Sequence, residues 1–180
     1  MKERVQEGDF ARMANYINKE KRAIDFDPFE LPVIALPEVI AVSFEPKTER
    51  ALLIRIADQG KDFAKLKHLE SYQDILEIHF NDINEADDYW GLSQKEKEEM
   101  KLFNERHAEI IYDFIDRNPD HGQIVVHCNA GISRSSAVAM GIAEHYHDKD
   151  TLQKLREIKR YLPNPRVLAI MRGEKYLPED

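Results

Sequence analysis

The apolar run Ile124-Val125-Val126 leads straight into His127-Cys128-Asn129-Ala130-Gly131-Ile132-Ser133-Arg134-Ser135, and no other passage restricts the fold so tightly. The run reads as a buried strand. The segment after it, Ser136-Ala137-Val138-Ala139-Met140-Gly141-Ile142-Ala143, reads as a helix of small residues. A strand joined to a helix by a short glycine-containing loop gathers unpaired backbone N–H groups at one point. Such a nest holds an anion, because the donors and the helix dipole all favour negative charge. Cys128 opens the loop and Arg134 closes it, so a nucleophile, an anion cradle and a planar guanidinium fall within seven residues. The field that would hold a phosphate also favours a thiolate at Cys128. A lone cysteine is often buried and inert. Here, however, Gly131 and the serines 133, 135 and 136 surround it, and these are not core residues.

The rest of the chain supplies a sheet and its cover. Strands are expected over Val39–Phe44, Ala51–Ile56, Ile75–Phe80 and Ile124–Val126. Between the last two, Met100, Phe103, His107, Ile110, Ile111, Phe114 and Ile115 recur at helical spacing, and 118–122 ends that helix with turn chemistry. A further helix is expected over Thr151–Tyr161, with Leu152, Leu155, Ile158 and Leu162 as its apolar stripe. Asn164 and Pro165 then form an N-cap and first turn for a last helix through Met171, closed at Gly173. Strands alternating with helices predict an α/β fold: a single domain with a central sheet of four to five strands flanked by helices. The expected organisation is an N-terminal helical extension over residues 1–31 and one domain over 32–180. Phe10, Met13, Ala14 and Ile17 share a helical face in the extension.

Composition narrows the function. A net charge of -8 argues against non-specific nucleic-acid binding. No apolar run is long enough to span a membrane, and the charged opening Met1–Glu7 does not read as a secretory leader. One cysteine excludes an intramolecular disulfide and fits a cytoplasmic location. No Cys or His cluster has metal-ligand spacing, so neither metal nor other cofactor is expected. Residues 151–177 carry Lys154, Arg156, Lys159, Arg160, Arg166, Arg172 and Lys175 against Glu157 and Glu174, which reads as a solvated basic face.

The loop follows the His-Cys-x5-Arg-Ser/Thr pattern and so resembles the cysteine-dependent protein tyrosine phosphatase superfamily. Its Ala-Gly-x-Ser-Arg-Ser form is similar to the dual-specificity branch and its bacterial relatives. Arg160-Tyr161-Leu162-Pro163-Asn164 is similar to a second region of that branch, and the resemblance covers roughly Glu38–Gly173. It implies a phosphatase domain over 32–180 and a cysteinyl-phosphate mechanism. Cys128 is the implied nucleophile, Arg134 the phosphate clamp, Asp82 the general acid and Ser135 the hydroxyl that eases departure of the thiolate. Asn129, Ala130, Gly131, Ile132, Ser133 and Arg134 would bind phosphate, with His127 and Asn164 as supports. The segment Glu85–Glu99 looks like an insertion, and its Asp87 and Asp88 are alternatives to Asp82. The family's Pro-Gly turn after the second strand is replaced by Asp58-Gln59-Gly60, a departure expected to touch the scaffold alone.

The implied partner is a phosphorylated protein or a small phosphate ester, with no nucleic acid and no membrane insertion. Hydrolysis of phosphotyrosine, with or without phosphoserine and phosphothreonine, is the leading expectation. A phosphatase of phosphoinositides, nucleotides or sugar phosphates is the alternative. The neutral Asn129, Ala130 and Ile132 fit inositol lipids poorly, since those would favour basic loop residues. A non-catalytic phosphate-binding module would not need a nucleophile, and a reductase of this chemistry would need further cysteines.

Overall fold

A computed structural model describes residues 11–16, 18, 19, 24–83, 93 and 102–176. Its centre is a four-stranded parallel sheet of β1 (Val33–Pro37), β2 (Ala51–Ala57), β3 (Tyr72–His79) and β4 (Ile124–Cys128), in the order β1-β4-β2-β3. Residues 11–16, 18 and 19 are helical, and the helices that follow β1 are α1 (Glu38–Ala41), α2 (Glu105–Asp116), α3 (Arg134–His145), α4 (Lys149–Glu157) and α5 (Pro165–Met171). An all-parallel sheet is buried on both faces, which is why β1 and β4 are apolar almost without alternation. The last strand in sequence, β4, lies between β1 and β2. A crevice opens at the carboxyl ends of such strands where the chain order reverses. Residues that follow four strand ends, at 38, 58, 80 and 129, therefore meet in one place.

The expected strand over Val39–Phe44 is not formed. Six residues earlier, Val33–Pro37 pairs along β4 from Val33↔Ile124 to Pro37↔Cys128. The chain then leaves the sheet: Glu38 N donates to Asn129 O, and Glu38–Ala41 closes a helical turn. The long helix also starts late. Asn104 caps it, its side chain accepting from the Arg106 and His107 N–H groups while the His107 ring accepts from the Asn104 N–H. Phe103 thus stands before the helix, buried against Phe80. Met100, like Phe10 and Ile17, lies outside the described residues.

Helix α4 begins at an Asp148 cap and ends at Glu157, so Leu162 belongs to no helical stripe and is 68 % exposed. Asn164 caps α5 by accepting from Val167 N, and Pro165 is its first residue. Gly173, at φ +77°, follows the helix in the left-handed conformation. Helix α3 is buried along Arg134–Ala143, which explains its small residues. Phe29 and Leu31, ahead of the expected domain boundary, lie in the same core, and Tyr16 packs edge-on against Phe29. Among the described residues no helix is long and apolar enough to cross a membrane.

Candidate active site

Cys128 is the last residue of β4 and is 2 % exposed. Its Sγ lies 3.0 Å from Ser135 Oγ and accepts from Gly131 N–H at 3.3 Å. The loop above it is held by its carbonyls. Asn129 O accepts from Glu38 N, Ala130 O from Arg160 Nη2, Ile132 O from Leu162 N, and Ser133 O from Asn164 N. In a trans peptide the carbonyl and the next N–H point in opposite directions. Four carbonyls anchored outward therefore turn the N–H groups of Ala130, Gly131, Ser133 and Arg134 toward the concave side. Gly131 makes that curve feasible: its φ is +68°, and a Cβ there would stand 2.3 Å from Pro37 N.

Arg134 opens α3 and is buried. Its Nη1 donates to Asp58 Oδ1 at 2.7 Å and to Phe80 O at 2.9 Å. Its Nε is buried without a hydrogen bond to any described residue. The guanidinium is thus fixed by one corner, with its Nε edge left unbonded. In the Asp58-Gln59-Gly60 turn that follows β2, the Asp58 carboxylate is the ion partner of Arg134.

Asp82 follows β3 and reaches the same loop. Its Oδ1 accepts from Ser133 Oγ at 2.8 Å and from Asn164 Nδ2 at 2.9 Å. The Asn164 side chain also donates to Ile83 O and its backbone N–H to Ser133 O, so one residue ties the Asp82 turn, the loop and the cap of α5 together. Asp87 and Asp88, with the rest of Glu85–Glu99 except Ser93, lie outside the described residues.

His127 is fully buried one residue before the cysteine, and its Nε2 accepts from Arg55 Nε at 2.9 Å. Burial, then the Arg55 charge, push its pKa down to about 3, so the ring is neutral at physiological pH. The structure therefore brings Cys128, Arg134, Ser135, Asp82 and Asn164 to one crevice and sets His127 behind it. The sequence alone assigns no role at the site to Asp58, Arg55 or Tyr161. Tyr161 donates to Ala35 O at 2.6 Å and accepts from Ala35 N, closing the open edge of β1. A lone Arg in the apolar run Ala51–Ala57 was the one available sign of a buried partner.

Four of the seven basic residues of 151–177 have partners within the fold. Lys154 pairs with Asp150, Arg172 with Glu144, Arg160 holds the loop, and Arg166 donates to Phe103 O.

No protein-family model and no curated protein sequence matches the chain. Solved structures do. Human DUSP28 superposes with a TM-score of 0.52 at 13 % identity, over 81 % of this chain and 92 % of that one. The human tyrosine phosphatase-like serine/threonine/tyrosine-interacting protein gives 0.49 at 20 % identity, over 79 % and 89 %. The PTP-2 phosphatase of Cydia pomonella gives 0.43 at 18 % identity, over 70 % and 74 %. The chain shares the α/β fold of human DUSP28, a parallel sheet flanked by helices.

Proposed function

We propose that the protein hydrolyses phosphate monoesters through a cysteinyl-phosphate, with phosphotyrosine in proteins as its principal substrate. One observation carries the reading: a loop with carbonyls anchored outward and N–H groups turned inward stands over a thiol, beside an arginine whose buried Nε has no partner among the described residues. An oxyanion group with tetrahedral oxygens supplies the acceptors that this arrangement lacks.

The loop N–H groups and the free edge of Arg134 neutralise and aim the phosphate, while Asp58 and the Phe80 carbonyl keep the guanidinium planar to it. The Cys128 thiolate attacks phosphorus in line, forming an S–P bond as the P–O bond to the leaving group breaks. Asp82 gives its proton to the departing oxygen, held in place by Ser133 and Asn164. Water then attacks phosphorus, its proton passing to Asp82. The Ser135 hydroxyl, 3.0 Å from Sγ, donates to the thiolate as it leaves.

Phosphotyrosine is favoured over inositol lipids because the loop residues Asn129, Ala130 and Ile132 are neutral, whereas a polyanionic headgroup would call for basic side chains there. Residues 32–180 act as the catalytic domain, and a reducing cytoplasm keeps the single cysteine active.

The test offers purified protein with a chelator a panel of phosphotyrosine and phosphoserine peptides, phosphoinositides and sugar phosphates. Fastest turnover of phosphotyrosine peptides is expected. Tight binding of phosphopeptides without any hydrolysis would make the protein a binding module instead.

A further inference from the structure

We propose that Arg55 is a positioning residue of this site, one that fixes the His127 ring in a single neutral tautomer and places a buried positive charge behind Cys128. The inference rests on the site reading above for its catalytic consequence, but not for its structural content.

Arg55 is the one charged residue in β2 and is 5 % exposed. A buried guanidinium in an all-parallel sheet is costly unless every side of it is engaged. Here its nitrogens and its flat face are all used. Nε donates to His127 Nε2, Nη2 to Ala64 O, and Nη1 lies 3.5 Å from the Glu77 carboxylate. The Phe63 ring stacks under the group at 4.9 Å. Arg55 and His127 are register partners across β2 and β4, so the two side chains leave the sheet on the same face.

An arginine does not lose its proton and has no acceptor. Nε is therefore always a donor, and His127 Nε2 is always an acceptor. The ring hydrogen must then stand on Nδ1, which is buried and has no hydrogen-bond partner among the described residues. A second proton would set N–H against N–H and cation against cation. A scaffold needing only a tie to residue 64 would not require this donor geometry at the histidine. The charge is held in place by Glu77, with Glu38 also contributing.

The variants Arg55→Met, Arg55→Gln and Arg55→Lys separate donor from charge. The tautomer is read from 15N chemical shifts of the His127 ring, assigned by their loss in His127→Gln. The nucleophile is read from the rate of Cys128 alkylation by iodoacetamide at pH 6.5. The wild type should show one neutral tautomer protonated at Nδ1. Arg55→Met should lose that tautomer and alkylate about tenfold more slowly. Arg55→Gln should keep the tautomer yet alkylate slowly, and Arg55→Lys should recover most of the rate. A wild-type ring that is charged or protonated at Nε2 overturns the proposal even if no variant folds. So does a folded Arg55→Met with unchanged tautomer or unchanged alkylation. Loss of phosphatase turnover across the substrate panel, with these results intact, would fault the site reading and leave the role of Arg55 standing.

Discussion

Gly131→Ala is the smallest change that tests how the loop is built. At φ +68° an alanine carries a left-handed penalty of about 1–2 kcal/mol. Its Cβ would stand 2.3 Å from Pro37 N, 2.6 Å from Leu36 C and 2.7 Å from Pro37 Cδ. Carbon contacts are comfortable near about 3.5–4 Å, so something must move by about 1 Å. Strand β1 is held by β4 on one side and by Tyr161 on the other, so the loop is what yields. Overpacking of this kind costs about 1–3 kcal/mol, giving about 2–5 kcal/mol in all. The displaced Gly131 N–H leaves Sγ, and a misplacement of about 1 Å costs about 100-fold in rate. Urea unfolding and kcat/KM on a phosphotyrosine peptide measure the two effects. A variant within about 0.5 kcal/mol of the wild type and with unimpaired turnover would refute this account of the loop.

Three further outcomes are expected. Asp82→Asn should slow phosphotyrosine more than an activated aryl phosphate and should lose the falling alkaline limb of the pH–rate profile. If the leaving-group dependence appears in Asp87→Asn or Asp88→Asn and not in Asp82→Asn, the acid has been misassigned. His127 titrates at about 3 when folded against an ordinary 6.5, so between these values the unfolded chain binds the extra proton. Its contribution to stability is complete above about pH 6.5 and is lost toward pH 3, at up to about 1.4 kcal/mol per pH unit. Urea melts of wild type and His127→Gln at pH 7 and pH 5 should therefore diverge in slope, and parallel curves would count against a buried neutral ring. Tyr161→Phe strips the Ala35 N–H and C=O of their edge partner and should cost about 1–3 kcal/mol with kcat little changed. An unaltered melting temperature would mean that water replaces the hydroxyl.

The strand–loop–helix at Ile124–Ala143 was legible because its chemistry is local: a short apolar run, a glycine, and small residues at helical spacing. Asn164 and Pro165 were legible for the same reason, since a cap needs only its own neighbours. The first strand was not. Val33–Pro37 and Val39–Phe44 are both short apolar runs, and periodicity does not separate them. What separates them is register on β4 and the Glu38–Asn129 hydrogen bond, both set by residues some ninety positions away. Asp58 looked like a turn residue because a carboxylate after a strand usually is one. Its pairing with Arg134 follows from strand order, which places the ends of β2 and β4 side by side. Arg55 and Tyr161 are of the same kind, since each satisfies a group on a distant strand.

The central claim is that Cys128 carries the phosphoryl group. Quenching the first turnover of a labelled phosphotyrosine substrate in acid and mapping the label by mass spectrometry tests it directly. The label should reside on the peptide containing Cys128, and Cys128→Ser should bind the substrate without turning it over. Label on any other residue, or sustained hydrolysis by Cys128→Ser, would contradict the mechanism.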